Sequence, residues 1–144
     1  MADTFVAMDP DAQLGYLLVR CAEQLARAWH EALREHGVNP RQFSVLATLA
    51  HDSGMSQAEL ARRVMVTPQS MSESLTRLVD AGLIGRGSVE PGRPARLTLT
   101  PAGRSVLTRA YPVVSAHQNE AFAALTDAER VELARILGKL MPAT

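Results

Sequence analysis

The chain has 144 residues, of which 47% are apolar and 21% charged, and its 15 basic and 15 acidic side chains give a net charge of zero. This length and apolar content are sufficient for one compact core, and no apolar run approaches the roughly 18 residues that a membrane span requires. The acidic start MADTFVAMDPD is unlike a secretory signal and predicts a cytoplasmic protein, and the single cysteine, Cys21, excludes an internal disulfide.

Helix-capping signals divide the chain. Asp, Asn or Thr directly precedes Pro at four points, and this pairing is typical of a helix start because proline lacks the N–H that the first helical position leaves free. Apolar residues at helical spacing then predict helices over about 10–36, 40–51, 56–63 and 68–81. The glycines Gly37, Gly54 and Gly82 lie where helices are expected to end.

After Gly82 the pattern changes from helical spacing to short strands. Leu83-Ile84 and Leu97–Leu99 are predicted to form a hairpin across a loop rich in Gly, Pro and Arg. Helical spacing returns over about 101–124 and 127–141, where Pro112 is expected to kink the first helix. The expected fold is mainly α with a small two- to three-stranded antiparallel wing.

The order helix, tight turn, helix, hairpin predicts a winged helix-turn-helix over 40–99. Residues 55–110 hold eight arginines against four acids, whereas both flanking segments are net acidic. A helix with polar side chains at its start can contact base edges in a major groove, although an ordinary solvated helix face would look similar. The residues expected at the DNA are Ser56, Thr67, Gln69, Ser70, Ser74, Arg77, Arg93 and Arg96.

Four stretches in this order resemble the multiple-antibiotic-resistance regulator (MarR) family: NPRQFSVLATLA, SQAELARRVMVTPQSMSESLTRLVDAGLI, ARLTLTPAGR and LTDAERVELARILGKL. The resemblance covers about 10–141 and implies a single MarR-like domain over 1–144, with dimerisation helices at 10–36 and 101–141. It also implies a repressor that binds double-stranded DNA at a pseudo-palindromic operator as a homodimer. Release by a small, often aromatic or phenolic, ligand is a further implication.

One departure from the family concerns the wing. The family wing usually carries Asp-x-Arg shortly before a Leu-Thr pair, with the acid orienting an arginine towards the minor groove. Arg93 lies at the arginine position, but Pro91 replaces the acid. Glu90 could substitute for it.

The sequence leaves the effector unidentified. Tyr16, Arg20, Trp29 and His51 are candidates for a ligand pocket, since an arginine can pair with a carboxylate and aromatic rings can form a wall; a dimer core with a solvated arginine is an equal alternative. Cys21 lies on the apolar stripe of the first helix and is expected to be a buried small hydrophobe. In the peroxide-sensing relatives the reactive thiol precedes an aromatic-Leu-Leu run, and Gly15 holds that place here.

Other function classes have less support in the sequence. It contains no arrangement of residues typical of an enzyme, a metal site or a cofactor site. A protein-interaction module without specific DNA binding and a cysteine-based redox regulator remain alternatives.

Overall fold

The computed structural model describes residues 9–87 and 90–141 of the chain. The acidic start at residues 1–8, the predicted loop residues Ser88 and Val89, and residues 142–144 lie outside the described residues. The described part holds a short 3-10 helix, Pro10–Ala12, and then the helices and strands α1 (Leu14–Arg34), α2 (Pro40–His51), α3 (Gln57–Arg63), α4 (Pro68–Asp80), β1 (Ile84–Arg86), β2 (Leu97–Leu99), α5 (Pro101–Ala121) and α6 (Asp127–Leu140).

The predicted start of the first helix is wrong. The Asp9 carboxylate accepts the Asp11 N–H at 3.0 Å and caps only the 3-10 turn. Gln13 is then extended, with φ −99° and ψ 117°, so that α1 begins at Leu14 rather than near residue 10. The remaining helix limits differ from prediction by a few residues at most, and α5 continues through Pro112.

Three of the predicted helix ends depend on glycine. Gly37, Gly54 and Gly82 have φ values of 72°, 86° and 71°. A residue with a Cβ adopts these left-handed conformations only at a cost in free energy, whereas glycine adopts them readily. The glycine pattern therefore marks real changes of chain direction.

The wing pairs antiparallel, with Ile84 opposite Leu99 and Arg86 opposite Leu97. A further segment joins the second edge of β2: the Gly54 N–H donates to the Leu97 carbonyl at 3.0 Å, and the Leu97 N–H donates to the Met55 carbonyl at 2.9 Å. This pairing ties the loop before α3 to the base of the wing. The hairpin predicted from the sequence is confirmed, and its first strand extends to Arg86.

The core lies in the lobe formed by α2, α3, α4 and the wing base, with the end of α1 and part of α5 packed against it. At the junction with α5, Gly103 lies so close to the Leu83 carbonyl oxygen that a Cβ would collide with it. The Thr100 hydroxyl donates to the Gly82 carbonyl at 2.7 Å and accepts the Gly103 N–H at 3.1 Å. The fully buried large side chains are Leu33, Val45, Leu46, Leu49, Leu60, Met71, Leu75, Leu78 and Leu97.

The first half of α1 and all of α6 differ from this lobe. Within the described chain α6 has no buried residue, and it packs closely against no other element. Cys21 is exposed on α1, so the expectation of a buried thiol is wrong for the single chain. The apolar stripe predicted on the first helix faces outwards along this half. None of the helices in the described residues combines the length and the apolar character needed to cross a membrane.

Candidate nucleic-acid interface

The turn between α3 and α4 sets the angle of the two helices. Val66 donates its N–H to the Ala61 carbonyl at 3.0 Å, which closes the turn within a few residues. Met65 has φ 55°, a left-handed conformation that is rare for a residue other than glycine. The Thr67 hydroxyl then accepts the Ser70 N–H at 3.2 Å and caps α4. Local hydrogen bonds thus hold α4 in the position of a recognition helix.

The two faces of α4 have different chemistry. Met71, Leu75 and Leu78 are buried in the core. Gln69 and Arg77 are exposed on the opposite side, at the start and near the end of the helix. Thr67 is also exposed and Ser70 is half-buried. The exposed face therefore presents polar and cationic groups, as the sequence predicted.

Ser74 is a correction to the predicted outer face. The residue is only 8% exposed. Ser74 follows Met71 by three residues and precedes Leu78 by four, and residues at these spacings share one side of a helix. A buried serine on the core side is poorly placed to contact a base.

Ser56 is also buried, and its polar atoms are engaged in capping α3. The Glu59 N–H donates to the Ser56 hydroxyl at 3.3 Å, and the Ser56 N–H donates to the Glu59 carboxylate at 2.7 Å. Hydrogen bonding of the Glu59 carboxylate to the backbone and the side chain of Ser56 lowers the pKa of Glu59 below its ordinary value. Ser56 thus orients α3, a role different from the direct DNA contact predicted for it.

The wing loop contains a tight turn from Glu90 to Arg93. The Arg93 N–H donates to the Glu90 carbonyl at 3.0 Å, and Gly92 has φ 80°. Proline followed by a glycine of positive φ is typical of a type II turn. The turn brings the Arg93 guanidinium to 3.4 Å from the Glu90 carboxylate. Glu90 therefore pairs with Arg93, as the sequence suggested for a residue that substitutes for the acid replaced by Pro91.

Arg96 lies at the base of the wing and has a structural contact of its own. Its Nη1 donates to the Gly54 carbonyl oxygen at 2.7 Å. Because a guanidinium carries five N–H donors, the remaining ones are still available to a phosphate. Arg96 therefore links the wing to the loop before α3 and stays exposed.

A cleft between the wing and the starts of α3 and α4, here called the wing cleft, contains residues that sequence reasoning missed. Its volume is about 840 Å³, and it is lined by Gln57, Arg62, Arg86 and Pro94 among others. Within the described chain Arg62 and Arg86 form no ion pair. Both belong to the arginine-rich middle segment, but only the fold shows that they flank the same cleft as Thr67.

The four residues expected to form a ligand pocket lie on α1 and at the end of α2, and three of them are exposed. Tyr16 is exposed on α1, where Arg20 pairs with Asp11. Trp29 packs edge-on against Phe43, with ring centroids 6.4 Å apart, and His51 is exposed at the end of α2. None of these four residues lines the wing cleft.

One polar atom of this group is unusual. The Trp29 indole nitrogen is buried and has no hydrogen-bond partner among the described residues. Those residues also contain no group of three or more His, Cys, Asp or Glu side chains placed to hold a metal ion.

Comparison with known proteins decides the family. Residues 36–94 match the MarR family. The chain is 42% identical over 131 residues to the HTH-type transcriptional repressor Rv2887 of Mycobacterium tuberculosis, an alignment that covers 90% of this chain and 94% of the repressor. The chain belongs to the MarR family.

Solved structures of the MarR-family protein Rv2887 share the fold. Its complex with DNA is 39% identical to this chain with a TM-score of 0.73, and the match covers 92% of this chain and 100% of that one. Its complex with salicylic acid is 40% identical with a TM-score of 0.71, covering 90% and 97% of the two chains. The MarR resemblance and the winged helix-turn-helix predicted from the sequence are confirmed.

Proposed function

We propose that the protein is a transcriptional repressor that binds a pseudo-palindromic operator as a homodimer and is released by a small aromatic anion. The observation that carries the proposal is the exposed polar face of α4 beside an arginine-bearing wing. A regulator of this kind works on chromosomal DNA in the cytoplasm, and it needs no catalytic residue and no cofactor.

The DNA contacts in this proposal divide into two kinds. Thr67, Gln69 and Ser70 lie at the start of α4, where a helix inserted in a major groove meets base edges. Arg77 and Arg93 are exposed cations at either side of that point and suit the phosphate backbone, as do the remaining N–H groups of Arg96. The complex of the relative Rv2887 with DNA supports DNA as the partner of this surface.

The homodimer is proposed from apolar surface that the single chain leaves uncovered. Burying one large aliphatic side chain contributes roughly 1.5–3 kcal/mol, so a row of them exposed to water strongly favours association. A two-fold dimer would present two α4 helices to the DNA, and that symmetry accounts for a palindromic operator. The exposed large apolar residues of α1 and α6 are Leu14, Tyr16, Leu17, Leu18, Val19, Val131, Ile136 and Leu140.

The wing cleft is the site that we propose for the releasing ligand. Arg62 and Arg86, which form no ion pair with any described residue, can pair with a carboxylate, and much of the rest of the lining is apolar. A molecule held between the wing and the start of α4 would occupy space that DNA needs. The complex of Rv2887 with salicylic acid supports an aromatic carboxylate as the ligand class.

Sedimentation tests the dimer together with its role at DNA. Wild type is expected to sediment as a dimer at micromolar concentration, whereas Ile136→Asp, which places a charge on the exposed apolar face of α6, should sediment as a monomer and lose operator affinity. Thr108→Asp introduces the same charge at an exposed polar position of α5 and should retain both properties. A wild-type chain that stays monomeric at micromolar concentration would contradict the proposal.

A further inference from the structure

Glu73 occupies the middle of the outward face of α4. The helix buries Met71 and Leu75, which lie two residues before and two residues after Glu73. Two residues correspond to a rotation of about 200° around an α-helix, so Glu73 points away from the core. Gln69, Glu73 and Thr76 are all exposed, and their spacings of four and three residues place them on one side of the helix. The face that α4 presents to a groove therefore carries an acid at its centre.

The Glu73 carboxylate is not neutralised within the described part of the chain. Arg77 follows it by four residues, a spacing at which a glutamate and an arginine commonly pair, but the two form no ion pair. Glu73 also lies beside the start of α2, where it lines a cleft of about 300 Å³ together with Asn39 and Gln42. Each of those two side chains accepts the backbone N–H of the other, so α2 is already capped without Glu73. The acid is therefore left for a partner of α4.

An unpaired acid on a face that reads DNA needs a hydrogen-bond donor on the DNA. The duplex carries one negative charge for about every 1.7 Å of its axis, so Glu73 lowers the affinity for any duplex that offers it no donor. In the major groove only the cytosine N4 and adenine N6 amino groups donate, whereas guanine and thymine present acceptors that repel a carboxylate. The adenine amino group lies next to N7, a further acceptor, but the cytosine amino group has no acceptor beside it on its own base. The chemistry of Glu73 thus favours cytosine.

We propose that Glu73 determines the operator specificity of α4 by accepting a hydrogen bond from the N4 amino group of one cytosine in each half-site. This inference rests on the proposed binding of an operator by α4, and it adds the identity of one base pair. The carboxylate stabilises the complex with cytosine and opposes every complex in which another base takes that position. Specificity at this base pair then comes from a repulsive contact as well as an attractive one.

Symmetrically substituted operators test the role of Glu73. The duplex that wild type selects from a random library serves as the parent, and each base pair of both half-sites is replaced in turn by the other three. We expect one C·G position at which wild type discriminates about tenfold or more against the other pairs. In Glu73→Ala this discrimination should disappear at that position alone. Binding of Glu73→Ala to random DNA should become stronger, because a negative charge facing the phosphates has been removed.

The Glu73→Gln variant should change the preferred base, because a glutamine amide both donates and accepts and can bind adenine N6 and N7 together. We expect it to prefer A·T at the position where wild type prefers C·G. Asp80→Asn neutralises an exposed acid at the last residue of the same helix and should keep every wild-type preference.

The outcomes separate this inference from the proposed repressor function. A wild-type consensus whose base preferences are the same in Glu73→Ala and Glu73→Gln would overturn the inference and leave the repressor function intact. A preference that depends on Glu73 but selects a base other than cytosine would also overturn it. Failure of wild type to select any consensus would overturn both.

Discussion

Gln69 lies exposed on the first turn of α4, with both a donor and an acceptor on its side-chain amide. A glutamine in this position can bind an adenine edge bidentately. We expect Gln69→Ala to weaken operator binding by about 1–3 kcal/mol and to change binding to random DNA little. Fluorescence anisotropy with both duplexes measures the difference, and Gln118→Ala on the exposed side of α5 is the matched control. Equal losses on the two duplexes would show that Gln69 contacts no base.

Met65 provides a prediction about stability. Its φ of 55° is a left-handed conformation that costs a residue with a Cβ roughly 1–2 kcal/mol. Glycine removes this strain, but it also increases the conformational entropy of the unfolded chain, which lowers stability. The balance predicts that Met65→Gly raises the free energy of unfolding by up to about 1 kcal/mol. Denaturant unfolding is the measurement, with Met65→Ala as the control that shortens the side chain but keeps the strain. If Met65→Ala stabilises the protein as much as Met65→Gly does, the backbone strain is not the cause.

Individual side chains also show which exposures could be predicted from the sequence and which could not. Helical spacing correctly separated Gln69 from the buried Leu75, because both depend on the local period of one helix. It did not place Ser74 on the buried side, since a small polar residue gives no clear apolar signal. It also predicted a buried Cys21, because an apolar stripe shows which face is covered but not whether the same chain or a partner covers it.

At the level of the elements, the capping boxes of α3 and α6 make the stability of the fold depend on pH. Hydrogen bonds from Ser56 lower the pKa of Glu59 from its ordinary value of 4.5, and those from Thr126 do the same for Glu129 in α6. A carboxylate whose pKa is lower in the folded state stabilises the fold above the unfolded pKa, and this contribution is lost as the pH falls through the folded pKa. Stability should therefore decline below about pH 4.5, more steeply in wild type than in a Glu59→Gln, Glu129→Gln double variant.

Urea unfolding midpoints between pH 3 and 6 check this prediction. Glutamine keeps an acceptor for the capped N–H but does not titrate. Curves that run parallel for wild type and the double variant over this range would exclude the two caps as a source of the acid sensitivity.

The wing supplies the second prediction at this level. Arg93 sits at a tight turn beside Glu90, from which a long cation can reach a phosphate. Phosphate contacts add affinity through counterion release but discriminate little between sequences. Arg93→Ala should therefore weaken binding to operator and random duplexes alike and reduce the slope of log affinity against log salt by about one unit.

A matched control for this variant lies on α1, where Arg34 forms the same type of exposed ion pair with Glu31 three residues away. Arg34→Ala should leave the salt slope unchanged. If instead the loss in Arg93→Ala is confined to operators with A·T-rich flanks, the arginine lies in a narrow minor groove. Unchanged affinity for every duplex would mean that the wing does not touch DNA.

Element limits were predictable where a local chemical signal fixes them. The Asn39-Pro40 cap and the Leu97–Leu99 alternation placed α2 and β2 correctly, because capping and pairing involve neighbouring residues. The Asp9-Pro10 signal was misleading, since the same cap also starts a 3-10 turn. The pairing of Gly54 and Met55 with Leu97 could not be located in the sequence, because it joins segments more than 40 residues apart.

For the whole molecule, the predicted layout of a winged lobe between two helical flanks agrees with the structure, whereas the four predicted ligand residues do not line the wing cleft. Tyr16, Arg20, Trp29 and His51 were chosen for their chemistry, but convergence of side chains depends on how α1 and α2 pack. Arg62 and Arg86 were not chosen from the sequence, because the whole recognition helix separates them along the chain. The fold nevertheless brings both to the lining of the wing cleft. The fold thus follows from local signals, and the sites follow from tertiary contacts.

The central claim is that a dimer of this chain recognises a two-fold symmetric operator through α4. Selection of tight-binding duplexes from a random library tests it most directly, with the number of chains per duplex measured on the selected sequence. We expect an inverted repeat whose half-sites are centred about one helical turn, or 10 base pairs, apart. We expect two chains bound per duplex, and Gln69→Ala should fail to enrich the same sequence. Recovery of no consensus, or of an asymmetric sequence bound by a single chain, would contradict the account.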